Sequence, residues 1–455
     1  MKAILEHLSA GQDGRLAQLT EFLRFPTISC DPGQGGAMGE CAAWLAGLLA
    51  RSGLHDARVH ATSGHPIVTA SWRGAPGRPT LLLYGHYDVQ PVDPLELWLS
   101  PPFEPVIRNE RIFARGAMDD KGQVLMHIHA VAATLATLGR LPVNVVFLIE
   151  GEEEISSPCL PDFLRAHGEL LQADLALVSD SYMWDEGIPA ITTSLRGLVA
   201  LEVTVTGPDR DLHSGTHGGA VANPVEMLAR MLATLKDAQG RILVPGFLDD
   251  VYQPSERERA ALLAIPFDRE AYCRRIGIAT DWGEADYGLL ERLWLRPTIE
   301  INGMWGGYSG PGVKTVLPSR AHAKLSMRLA PDQTPDLAAD QVTRHLHAVT
   351  PPGVTVEVRR LAGGGLPWRL PPGLSALDAA KRALSESFGR DPLLVGEGAS
   401  IPIVGDFQAL LGIPSLLVGF GLPDSAPHSP NENFYLPGFH VGTDSLVRML
   451  HYLAE

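Results

Sequence analysis

Residues 80–88 read Thr-Leu-Leu-Leu-Tyr-Gly-His-Tyr-Asp, an apolar run that stops at a glycine, a histidine and a carboxylate. An apolar run this short, with no alternation of polar residues, is the pattern of a strand buried on both faces. Two further segments are built the same way. Residues 143–149 (VNVVFLI) lead into Glu150 to Glu154, and 174–179 (DLALVS) lead into Asp180. Residues 126–138 (MHIHAVAATLATL) have helical patterning and lie between the first two strands. Buried strands alternating with helices predict an α/β domain with a mostly parallel sheet flanked by helices, and in such sheets ligands gather at the C-terminal strand ends. The polar clusters fall at those ends three times over, which is the first functional clue.

Further along, the pattern changes. Residues 198–206 (LVALEVTVT) and 323–329 (AKLSMRL) alternate as strands with one wet face do, and 225–235 form an amphipathic helix opened by Asn223-Pro224. A long polar stretch, 240–294, follows. These features predict a separate α+β module. Gly363 to Gly365 and Pro371-Pro372 read as the linker back, after which 375–388 resume helically and 415–419 form another buried strand. The expected organisation is a catalytic domain in two segments, 1–194 and 371–455, with an inserted domain at 195–370.

The 455 residues are 45% hydrophobic and 20% charged, enough apolar content to exclude a mostly disordered chain. A net charge of −15 argues against nucleic acid or an anionic membrane as a general partner. Cys30, Cys41, Cys159 and Cys273 stand singly, so reduced structural cysteines are expected in place of a disulfide framework or a thiolate zinc site. Near the start, Ile4, Leu5, Leu8, Leu16, Leu19, Phe22 and Leu23 recur at near-helical spacing where a secretory leader would have an uninterrupted apolar core. No apolar run approaches the roughly 20 residues that span a bilayer. A soluble cytoplasmic protein is expected.

Each chemical candidate has a structural reading beside its functional one. His86 and Asp88, two apart at a strand end, can face the same way, as a metal-bound imidazole and the carboxylate that orients it, or as a buried ion pair. Asp119-Asp120 precedes a helix and could simply cap it. Glu152 to Glu154 could be a solvated face, Asp180 a turn residue, and His428 an exposed histidine in a Pro-rich loop (SAPHSPNEN). Together, two histidines and several carboxylates at sheet ends or loops of one domain suit borderline-soft divalent cations. If His86, Asp119, Glu154, Asp180 and His428 are ligands, their three carboxylates contribute −3, and one hydroxide brings the total to −4, balancing two Zn²⁺. Such a pair could activate water, with a fourth carboxylate as proton shuttle.

The motifs GHYDVQP (85–91), GAMDDKG (116–122), GEEEISS (151–157), SDSYMW (179–184), DLHSGTHGG (211–219) and GASIP (398–402) occur in an order that resembles the di-zinc M20 metallopeptidases. The nearest branch is the cytosolic non-specific dipeptidase and carnosinase-like one, and the likeness runs the length of the chain. The resemblance implies that His86 and Asp180 bind one metal, Glu154 and His428 the other, and that Asp119 bridges them. It implies Asp88 behind His86, Glu153 as general base, and a cis bond at Asp119-Asp120. His213 is implied as the oxyanion donor, acting across a homodimer from the inserted lid domain. Arg328 is implied as the clamp on a substrate's C-terminal carboxylate, assisted by Thr315 and the loop holding Ser400. The implied reaction is hydrolysis of dipeptides or short peptides with zinc as the first choice of metal and manganese or cobalt as others; an N-acyl-amino-acid amidohydrolase is the alternative. Two points stay open. Glu152 and Glu153 could exchange roles, and Ser156 stands where the branch has glycine.

Overall fold

In the computed structural model, which describes residues 1–455, the 80–88 segment forms strand Thr80–His86 and lies inside a large mixed sheet. It pairs in parallel with Asn144–Glu150, from Thr80 opposite Asn144 to His86 opposite Glu150, and on its other side with Leu175–Val178. Ser415–Leu417 continues the parallel set beside Leu175–Val178. Antiparallel strands flank this centre: Ile67–Trp72 and then His55–His60 on one side, and Ala190–Leu195 on the other. Ile67–Trp72, Asn144–Glu150 and Leu175–Val178 are buried at every position, as strands covered on both faces are.

The helix Lys121–Leu138 lies against Thr80–His86, and Lys2–Ala10, Gln12–Leu23 and Leu436–Tyr452 pack around it. Its buried Val124, Leu125, Met126, Ile128 and Val131 join the main core. The close approach explains Gly85: a Cβ there would meet Val124 Cγ2 at 2.3 Å and Asp120 Oδ2 at 2.6 Å.

The chain divides into two compact units, Met1–Thr193 with Leu370–Val395 and Asp406–Glu455, and Ser194–Arg369 with Gly396–Gly405. The last short stretch falls in the expected second catalytic segment but groups with the second unit. That unit contains a four-stranded antiparallel sheet in the order Thr298–Gly306, Arg320–Leu329, Gly197–Thr206, Thr355–Arg360. Burial alternates strictly along Gly197–Thr206. Its inner face packs against helices Pro224–Ala233 and Pro335–Ala348, through Leu228, Met231, Leu232, Val342 and Leu346. Asn223 caps the first of these helices, its side chain accepting from Val225 N. The polar stretch 240–294 contains three short helices, Glu256–Ala264, Arg269–Ile276 and Leu289–Trp294. No helix is long and apolar enough to cross a membrane.

Candidate metal centre

The parallel register brings three strand ends together. His86 ends its strand opposite Glu150, so the loop carrying Glu152 to Glu154 starts beside it, and Asp180 follows the neighbouring strand. His86 and Asp88 are fully buried. The Asp88 carboxylate lies 3.3 Å from His86 Nδ1 and also accepts from the backbone N–H of Glu153 (3.2 Å) and Glu154 (3.1 Å). Nδ1 also lies 3.1 Å from the Asp88 main-chain carbonyl, so Asp88 holds the imidazole through backbone and side chain while its carboxylate fixes the start of the acidic loop. With Nδ1 so held, Nε2 points at Asp119 Oδ1 (3.1 Å) and lies 3.8 Å from Asp180 Oδ2.

Asp119 is the pivot. Its Oδ1 faces His86, while its Oδ2 lies 2.9 Å from His428 Nε2. His428 Nε2 is also 3.2 Å from Glu154 Oε2, and Gln90 Nε2 donates to that same oxygen at 2.8 Å. Two clusters of potential ligands result, His86–Asp119–Asp180 and Asp119–Glu154–His428, joined through one carboxylate. The peptide bond Asp119-Asp120 is cis.

The electrostatics are those of crowded acids. Burial, reinforced by Asp119, pushes Asp180 up to about 7. Burial likewise raises Glu154, with Asp119 adding to the effect, and it raises Glu153 and Asp120 well above the usual carboxylate range. For Asp119, burial is outweighed by hydrogen bonds from His428 and His86, which hold its carboxyl low. His86 is the converse. Burial alone would lower it, but Asp119, Asp88 and Asp180 hold it well above the usual histidine value. Hydrogen bonds to Asp119 and Glu154 push His428 up to about 11. Asp120 Oδ1 is buried without a partner. Protons on two histidines are a poor substitute for the positive charge that so many close carboxylates demand. Two imidazoles and three carboxylates are a donor set that fits divalent cations of zinc, manganese or cobalt type.

The neighbouring acids separate by their contacts. Glu152 is buried and committed to the loop, its Oε1 accepting from His65 N (3.0 Å) and its Oε2 from Cys159 N (3.2 Å). The Glu153 carboxylate has no such tether. Two scaffolding residues escaped the sequence reading. Gln90 is one. The other is Glu432, fully buried, whose carboxylate accepts from Arg115 Nη1 and the backbone N–H groups of Gly116, Met118 and Asp119. The only sequence signal for it is an acid in a Pro- and Asn-rich loop, one residue before the aromatic pair Phe434-Tyr435.

The other predicted site residues belong to the second unit. There, Leu212–His213 pairs with Val316–Leu317, and Ser214 N donates to the Thr315 carbonyl, which sets Thr315 beside the His213 turn. Gly215 N donates to His213 Nδ1 at 3.0 Å, leaving Nε2 to carry the ring proton. Arg328 is lowered by burial, makes no ion pair, and donates from Nη1 to Ser400 Oγ at 2.9 Å.

The sequence pattern described as peptidase family M20/M25/M40 matches residues 82–452. Cys-Gly metallodipeptidase DUG1 of Saccharomyces cerevisiae is 31% identical over 460 residues, covering 96% of this chain and 95% of the yeast protein. Beta-Ala-His dipeptidase of Homo sapiens is 35% identical over 394 residues, covering 86% of this chain and 78% of the human protein. Among solved structures, the M20 family metallo-carboxypeptidase Sso-CP2 of Sulfolobus solfataricus superposes with a TM-score of 0.86 at 33% identity, over 97% of this chain and 99% of that one. The fold, the joined ligand clusters and the full-length similarity agree, and the chain belongs to peptidase family M20/M25/M40.

Proposed function

We propose that this metallopeptidase is a dipeptidase that hydrolyses the amide bond of dipeptides bearing a free C-terminal carboxylate. The observation that carries the reading is Asp119, whose two oxygens each face one histidine of a different cluster. In this assignment His86 and Asp180 hold one cation, Glu154 and His428 the other, and Asp119 is shared; zinc is the preferred metal on donor chemistry. Cations bound there would polarise the scissile carbonyl and bring the pKa of a bound water to roughly 7.

The chain's own groups supply the rest. Asp88 fixes the His86 ring through Nδ1 and sets the Glu153 backbone. The Glu153 carboxylate, half-buried and untethered, with its affinity for a proton raised by desolvation, takes a proton from the attacking water and returns it to the leaving amine. Glu152 is unsuited to that task because both its oxygens are committed to backbone donors. His213 offers its Nε2–H to the oxyanion of the tetrahedral intermediate. Arg328, cationic and unpaired, with Ser400 beside it, binds the C-terminal carboxylate, and Thr315 assists at the His213 turn.

We assign the second unit the role of lid and dimerisation domain, with His213 serving the active site of the other subunit. Support for a homodimer comes from the edge strand Thr298–Gly306, which is paired on one side only and exposes Ile301, Met304 and Trp305 by nearly half each. All four cysteines are free, in keeping with a cytoplasmic location.

The relatives named as dipeptidases favour this reading over N-acyl-amino-acid hydrolysis, and the carboxypeptidase similarity adds longer peptides as a comparison. A panel of dipeptides, their C-terminal amides, tripeptides and N-acyl amino acids, assayed on enzyme reconstituted with single metals, tests the proposal. Free dipeptides should be turned over best and their amides poorly. Equal turnover of amides would remove the carboxylate clamp, and preference for acyl-amino acids would replace the reading.

A further inference from the structure

We infer that Glu432 is the positioning residue of the shared carboxylate, and that with Arg115 it locks three loops into the spacing that the Glu154–His428 cation position needs. The inference rests on the dinuclear reading above. Glu432 is fully buried and accepts four hydrogen bonds, an unusually complete use of one carboxylate. Its Oε2 takes Arg115 Nη1 and Gly116 N, both at 2.9 Å, and its Oε1 takes Met118 N at 3.0 Å and Asp119 N at 3.1 Å. The backbone carrying Asp119 is thus held from the C-terminal loop, from a residue only four positions beyond His428.

Arg115 extends the clasp. It is 1% exposed, and its Nη2 donates to the Pro91 carbonyl at 2.8 Å. Pro91 directly follows Gln90, which holds Glu154. The pair therefore joins the segment after Asp88, the Asp119 loop and the His428 loop. The backbone on the C-terminal side of Glu432 is also anchored, since Ala114 N donates to its carbonyl and Asn433 pairs with Phe113. Removing the carboxylate should leave the loop folded but loosen the Asp119 end.

The effect should be unequal at the two positions. His86 ends a buried sheet strand and Asp180 follows one, so neither depends on Glu432. His428 lies on a loop with its side chain 56% exposed, and its alignment with Glu154 depends on the clasp. Partners behind metal ligands typically contribute about 10- to 100-fold in affinity.

The test is stepwise metal binding to chelator-stripped protein, by calorimetry with zinc and by the visible spectrum with cobalt. Glu432→Gln keeps the size of the side chain but turns an amide NH₂ toward two of the four donors. Wild type should bind two ions. In Glu432→Gln the second should bind about 10- to 100-fold more weakly and the first within about threefold, with activity recovering at excess metal and KM little changed. Unchanged binding of both ions, or equal weakening of both, would overturn the inference. A wild type that takes up no ions would overturn the dinuclear reading itself, and this inference with it. Should Glu432→Gln fail to accumulate, Arg115→Lys, which loses the Pro91 contact, should give the same inequality on a smaller scale, and equal affinities there would be equally fatal.

Discussion

The two sheets of this protein are made for different work. In the first unit the central strands are buried on both faces, and the charged groups at their ends lie in a medium where each carboxylate perturbs the next: Asp180 is driven up to about 7 and Glu153 well above its usual range. In the second unit burial alternates along the strands and the outer face is wet. Its functional candidates are a half-buried arginine without an acid partner and an exposed histidine whose tautomer is set by a turn. The first arrangement stores electrostatic stress that a cation can relieve, and the second presents donors that a substrate can fill. Proton transfer should therefore be lost by touching the first, and the holding of the substrate and its oxyanion by touching the second.

The sharpest break of that contrast is Glu153→Gln. Removing the proton carrier should lower kcat by about 10³-fold, within the range usual for general acid–base groups, while metal content and KM stay near wild type. A variant with wild-type metal content and near-full activity would leave the proton transfer without its proposed carrier. On the second unit, Arg328→Ala should lower kcat/KM for free dipeptides by about 100-fold, the equivalent of one charge-assisted hydrogen-bonded pair. It should do so without altering metal content, and the preference over amidated substrates should vanish with it. Retained discrimination would move the carboxylate site elsewhere.

What could be read beforehand follows the same division. The ends of the buried strands were legible because an apolar run that stops at His86, Glu150 or Asp180 marks both the element and its polar tip. Glu432 was not, because its role lies in hydrogen bonds to backbone more than 300 residues away in sequence. The choice between Glu152 and Glu153 was open for the same reason: only the fold brings His65 and Cys159 to Glu152. The helices within 240–294 also escaped periodicity. Glu256–Ala264 buries no residue at all, so it has no apolar stripe to detect, although Ser255 and Glu258 form a capping box at its start. The grouping of Gly396–Gly405 with the second unit has a comparable origin, since Ser400 bonds to Arg328 across 72 positions.

Burial in the first unit should also appear as acid sensitivity. His129 lies on the buried helix Lys121–Leu138, with Nε2 2.8 Å from Gln18 Oε1, and burial lowers it to about 3, with Arg15 and His440 adding to the effect. The unfolded chain, with histidine near 6.5, takes up this proton first, so the stability contributed is present above pH about 6.5 and is lost as pH falls toward 3. Between pH 7 and 5 the loss for one such histidine is about 2 kcal/mol. Urea unfolding of wild type and His129→Gln across that interval should differ in pH slope by about that amount, with the variant flatter. Parallel slopes would mean that the ring takes its proton in the folded protein.

The smallest expected effect concerns Ser156, the position where the resembled branch has glycine. It is exposed and adopts φ +70°, in the left-handed region, and its N–H donates to the Glu153 carbonyl at 2.8 Å. A non-glycine residue there costs about 1–2 kcal/mol, whereas glycine gives back about 0.5–1 kcal/mol through the freedom of its unfolded chain. Ser156→Gly should therefore stabilise the protein by at most about 1 kcal/mol, visible as a small rise in the urea midpoint. Because the side chain points to solvent and the hydrogen bond that shapes the turn is made by backbone, kcat should stay within about twofold. A tenfold change would show that the serine, and not only the turn, sets the pose of Glu153, and that the acidic loop of the first unit is less rigid than the buried strand it follows.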